Sequence, residues 1–154
     1  MISFTHKDGV LYIIASGHVK AHDCGPIKDF AAKHITEKDI ITDVYLDMKE
    51  CNYMDSTFIG VIAGINKQLR KKWKKSIHLQ NTNKACMDLL DDMSLSPLLI
   101  FLSEAISFPT EATKVDDNIL ISKIDIAEAH EELTELSEDN KKKFGLLAKI
   151  LRES

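Results

Sequence analysis

The stretch VYLDMKECNYMDSTFIGVIAGINKQL, residues 44–69, holds three pieces in order. Residues 44–48 (VYLDM) read as a short buried strand, because apolar residues dominate them. Residues 49–54 follow it and read as a loop. From Asp55 to about Trp73 the pattern turns helical: Phe58, Ile59, Ile62, Ile65, Leu69 and Trp73 fall on one stripe. Asp55 or Ser56 can cap the start of this helix. Six cations between Lys67 and Lys75 complement the negative end of its dipole.

Ser56 thus lies where a loop enters a helix, beside unpaired backbone N–H groups and the positive end of the dipole. A phosphate on that hydroxyl would meet a favourable field without unfolding the helix. Ordinary capping accounts for the same Asp-Ser-Thr string. Both readings stand at this point.

Upstream, residues 10–15 (VLYIIA) form a strand pattern, and residues 2–6 can pair with it through a turn at Asp8-Gly9. Residues 23–34 are helical, with Ile27, Phe30, Ala31 and His34 on one face, Asp23 as N-cap and Pro26 in the first turn. Downstream, residues 76–79 read as a strand, 83–93 as a helix and 98–102 as a buried strand. The order β-α-β-α-β-α-β, preceded by one hairpin strand, predicts an α/β fold: a mostly parallel or mixed sheet of four to five strands packed with helices. Residues 103–118 show no period, and 119–121 read as a short strand or an extended link. Residues 125–152 read as one long helix with a narrow seam that counts Asn140. The expected organisation is a domain at 1–102, a mixed connecting segment at 103–124 and a C-terminal helical extension at 125–154. The extension offers a surface for helix-mediated assembly through 125–152.

The chain has 154 residues and a net charge of −4, with 44% hydrophobic and 29% charged residues. That suits one globular domain and argues against disorder or a protein built to coat nucleic acid. No apolar run approaches the ~20 residues that span a bilayer, and the first residues lack a signal-peptide pattern. The expected compartment is the cytoplasm. Cys24, Cys51 and Cys86 are widely spaced and read as reduced thiols in or near the core.

Other chemistry is weakly signalled. His18 and His22 are four apart but precede the helix and lack a third ligand, so no metal is expected. The glycines are scattered, with no phosphate-cradling loop. No Ser, His and Asp set looks like a hydrolase, and neither an enzyme nor a cofactor is expected. The cations around Trp73 read best as a solvated helix end. Gly60 and Gly64 read as close packing of the helix against the sheet.

The string Tyr53-Met54-Asp55-Ser56-Thr57-Phe58-Ile59-Gly60 resembles the signature of the STAS domain, the family named for sulfate transporters and anti-sigma factor antagonists. Leu46-Asp47 ends the strand, Asp55-Ser56 opens the helix, and Gly60 falls in register. The resemblance covers roughly residues 1–102. It implies a partner-switching regulator of the anti-sigma factor antagonist type, not an enzyme. Unphosphorylated, such a protein binds an anti-sigma serine kinase. The kinase uses its own ATP to phosphorylate the motif serine, here Ser56. The phosphorylated form is released, and a serine phosphatase resets it. Thr57 is a secondary acceptor, and Asp55, Phe58 and Lys20 are recognition positions. Two departures matter: Lys20 stands where the family often has an acid, and Phe58-Ile59 replaces Gly-Leu. Phe58 is then either core or an interface anchor. The alternative is a non-switching STAS-type interaction subunit in which Ser56 only caps its helix.

Overall fold

The computed structural model describes residues 1–110 and 119–154. Strands β1 (Ile2–Lys7) and β2 (Val10–Val19) form an antiparallel hairpin with Lys7 opposite Val10. Asp8 and Gly9 both have positive φ, 51° and 81°, which gives the two-residue turn a twist that suits paired strands. A single 3-10 turn at Ala21–Asp23 leads into α1 (Gly25–Ala31), which loosens into a π-helical turn at Ala32–Glu37. Asp23 does not cap α1. Its carboxylate accepts the Lys20 N–H at 3.0 Å, and Cys24 occupies the N-cap position.

Strand β3 (Asp43–Met54) runs through the residues expected to form a loop. Ile14 pairs with Asp47 and Ser16 with Glu50; Gly17 pairs with Cys51 and His18 with Tyr53. At each step β3 carries one extra residue, so it bulges twice against β2. After Met48 the buried positions are therefore Cys51 and Met54, three apart. The two-residue period that marks a strand is lost there.

Helix α2 (Ser56–Trp73), β4 (His78–Gln80), α3 (Lys84–Asp92) and the two-residue β5 (Ile100–Phe101) follow. The five strands lie in the order β1-β2-β3-β4-β5, with β1 antiparallel and the rest parallel. β5 is shorter than the buried strand expected at 98–102, and Ile100 is exposed at this edge. One sheet face, carrying Leu11, Ile13, Val44 and Leu46, joins Ile27, Phe58, Ile62 and Leu90 in a continuous core. Burying such side chains contributes about 1.5–3 kcal/mol each. On the other face Tyr12, Tyr45 and His78 stack in a row, and Phe108 packs on Tyr12 at 4.9 Å. Gln80 holds the segment leading there, its side chain bonding both the N–H (2.9 Å) and the carbonyl (3.1 Å) of Ile106.

The C-terminal extension is two helices rather than one. Helix α4 (Lys123–Thr134) ends in a turn, and Ser137 caps α5 (Glu138–Glu153) by accepting the Asn140 N–H at 3.1 Å. A serine followed by Glu138 and Asp139 favours a fresh helix start over a continued one. The buried Asn140 amide donates to the carbonyls of Leu133 (2.8 Å) and Met93 (2.6 Å), which fixes the bend against the domain. Helix α5 folds back along α4, and α4 packs across α2. Ile119 and Ile121 form an extended link beside Gly25. Of the 103–124 connecting segment, residues 111–118 lie outside the described residues.

Candidate functional site

Asp55, between β3 and α2, organises the site. Its backbone is extended, and its Oδ1 accepts the Phe58 N–H at 2.9 Å, which caps α2. Its Oδ2 accepts the Ala21 N–H at 2.8 Å, and its own N–H donates to the Val19 carbonyl at 3.0 Å. One side chain thus joins the exit of β2 to the start of α2. The two β3 bulges carry β3 to this point beside Val19, its partner being Met54.

Ser56 is the first residue of α2 and does not cap it. Its Oγ lies 2.8 Å from His130 Nε2 on α4, and the hydroxyl is half-buried there. The other imidazole nitrogen, Nδ1, lies 2.8 Å from the Ile126 carbonyl. The carbonyl accepts only an N–H, so Nδ1 carries the proton and Nε2 accepts from the Ser56 hydroxyl in the neutral ring. Phe144 of α5 packs on the same ring at 5.3 Å. Sequence reasoning passed over His130 because an isolated histidine on a polar helix carries no local signal.

The other expected positions separate. Thr57 is buried (5% exposed), and Phe58 is buried in the core (2% exposed), the core alternative of the two read for it. Lys20 is exposed next to Ala21, so it flanks the Asp55 contact. Gly60 does not face the sheet. A Cβ there would sit 2.2 Å from the Ala129 carbonyl oxygen of α4, and one at Gly64 would sit 3.5 Å from Glu132 Cγ. These glycines let α4 approach the backbone of α2.

Ion pairs frame that crossing. Lys28 Nζ meets Asp125 at 2.9 Å and Glu128 at 2.5 Å. Lys67 Nζ meets Glu132 at 3.4 Å and Glu135 at 2.8 Å. Burial opposes the charge on Lys28, yet its hydrogen bonds to Glu128 and Asp125 win and hold its pKa above the ordinary value. Asp125 is likewise partly desolvated, but the Ser122 N–H and Lys28 keep its carboxyl below the usual range. Burial pushes Glu132 up, and Lys67 offsets only part of it.

Much of the basic run is spent in pairs: Lys67 as above, Lys72 with Asp39, Lys75 with Asp43 at 3.0 Å, and Arg70 with Ser76 Oγ at 2.6 Å. Cys24, Cys51 and Cys86 are free and buried. Among the described residues no cluster of His, Cys, Asp and Glu suits a metal ion, and no helix is long and apolar enough to cross a membrane.

A mixed sheet hairpinned at its start, with an Asp-Ser pair opening its central helix, defines a class of domain. Residues 1–114 match the STAS domain family, and the chain belongs to it. The match ends before α4. Among solved structures, the fold is similar to the anti-sigma factor antagonist SpoIIAA in its unphosphorylated form. The identity is 16%, over 68% of this chain and 90% of that one, with a TM-score of 0.57. It is also similar to the Bacillus cell fate determinant SpoIIAA in the phosphorylated form, at 16% identity over 68% and 93%, with a TM-score of 0.56. At that identity the likeness establishes the shared fold.

Proposed function

We propose that this protein is a phosphorylation-switched binding module of the anti-sigma factor antagonist type, with Ser56 as phosphoacceptor. The observation that carries this reading is the division of labour at the start of α2. Asp55 alone caps the helix, so the Ser56 hydroxyl is not needed for capping and its side-chain contact is instead to His130. A phosphate there lies at the positive end of an 18-residue helix, where dianionic charge is tolerated. Added beside Asp55, it changes the surface potential at the start of α2 while the cap made by Asp55 persists, and a complementary interface then loses several kcal/mol. In this reading the partner is an anti-sigma serine kinase that supplies ATP, a serine phosphatase resets the switch, and the setting is the cytoplasm. Lys20 and Asp55 border the contact surface, Thr57 is a secondary acceptor once the helix start loosens, and the protein is a substrate and ligand rather than an enzyme.

The test is a paired capture from lysate of the source organism, with Ser56→Ala and Ser56→Asp chains as baits and mass spectrometry of what they hold. The switch predicts an ATP-binding, kinase-like protein on the Ala bait that is lost from the Asp bait. Equal capture on both would remove the switch.

One observation favours a second reading, a non-switching assembly subunit: α5 leaves Leu146 and Ile150 exposed at 69% and 52%, an apolar edge available to another helix. Dependence of capture on Leu146→Lys rather than on Ser56 would select it.

A further inference from the structure

The hairpin of α4 and α5 lies outside the family match, yet it covers the start of the helix on which a switch at Ser56 would act. We propose that this hairpin is an internal occupant of the α2 face, so that the docked hairpin and a phosphate on Ser56 exclude one another and a partner of that face must displace it. The displacement of a partner rests on the reading of Ser56 as a switch; the mutual exclusion does not.

Three observations support it. The first is the contact itself. Ser56 Oγ is 2.8 Å from His130 Nε2, so the imidazole stands against the oxygen to which a phosphoryl group would be joined, and the hydroxyl proton it accepts is lost on phosphorylation. His130 is 3% exposed, packed against Phe144 and tied by Nδ1 to the Ile126 carbonyl of its own helix, so its position follows that of α4.

The second is the character of the interface. Its edges are ion pairs between cations of the domain, Lys28 and Lys67, and carboxylates of α4. Clefts of about 160 Å³ (lined by Gly64 and Glu128 among others) and about 260 Å³ (lined by Lys67 and Glu135) flank the crossing. An interface edged by ion pairs within one chain resembles transient protein–protein interfaces, which are more polar than obligate ones.

The third is the limited apolar anchoring. Ala129 and Leu133 join the core cluster, with Leu136 and Phe144 partly buried against it. Leu133 is thus the one large side chain of α4 in the core cluster, and the other apolar side chains that α4 buries are the small Ala127 and Ala129.

The experiment is amide hydrogen exchange on the full chain in three forms: wild type, a chain with phosphoserine installed at position 56 during translation, and Glu128→Lys/Glu132→Lys. The expected result is a loss of protection of about tenfold or more across α4 in both altered chains, with β2 and β3 unchanged. Retained protection of α4 in the phosphoserine chain would show that His130 accommodates the phosphate and would overturn the proposal. So would a parallel loss in α4 and the sheet, which would make the hairpin part of one cooperative unit. No kinase is needed, so failure of the bait comparison leaves this result standing, and failure here leaves the bait comparison open.

Discussion

Asp55 binds the Ala21 N–H with one carboxylate oxygen and the Phe58 N–H with the other, at 2.8 and 2.9 Å. The carboxylate therefore serves as cap and as staple. Asp55→Ala removes both, leaving two backbone donors to find water, and should cost about 1–3 kcal/mol in chemical denaturation. Asp55→Asn keeps one acceptor and should recover the part due to the cap. Equal losses in the two variants would show that charge, rather than the cap, does the holding.

Gly60 and Gly64 should respond oppositely to the same change. Ala normally stabilises a helix by roughly 0.5–1 kcal/mol over Gly. At Gly64 the added methyl has ordinary room beside Glu132, and Gly64→Ala should be neutral or stabilising. At Gly60 it would lie 2.2 Å from the Ala129 carbonyl, so Gly60→Ala should force α4 away and lower the melting temperature. Thermal melts of the two variants side by side check the contrast.

Acid should loosen the hairpin through Asp125. Its carboxyl is held below the usual range when α4 is docked. The contribution is therefore complete above the free value of about 3.9 and lost as pH falls through the docked value. Glu132 works the other way: its raised carboxyl eases docking as pH falls. Asp125→Asn should therefore reduce the acid response, and Glu132→Gln should sharpen it. Methyl NMR shifts of Ala127 and Ala129, followed from pH 7 to about pH 3, report docking directly.

The three thiols should be silent in the native protein. Burial pushes Cys86 up to about 12 and raises Cys24 and Cys51 as well, so almost no thiolate exists at neutral pH. Alkylation at pH 7.5 should label none of them without denaturant and all three with it. Rapid native labelling of Cys51 would mean that the bulged end of β3 opens.

Local patterns carried most of the domain. Asp8-Gly9 marked the hairpin, the stripe from Phe58 to Leu69 marked α2, and the helical pattern over 83–93 marked α3. The end of β3 was hidden because its bulges bring Lys49, Glu50, Asn52 and Tyr53 out of alternation. The break at Ser137 was hidden because the apolar steps of α4 and α5 continue across it; only the capping serine and Asn140 mark it. Ser56 was legible, but its partner was not. Nothing near His130 in sequence records that it faces a residue 74 positions away. Gly60 signalled a close approach, but its expected neighbour, the sheet, was wrong: the backbone of α4 lies against it.

Under the proposed displacement, α4, joined covalently to the surface it covers, would compete at a fixed local concentration, of millimolar order for short connections. Any molecule that takes the α2 face meets an apparent affinity reduced by the fraction of chains in which that face is free. Substitutions along α4 that never touch the incoming molecule would then move the concentration at which it responds. The hairpin is in this sense a dial for the threshold, adjustable by Glu128, Glu132 or Glu135 while the surface around Ser56 stays unchanged.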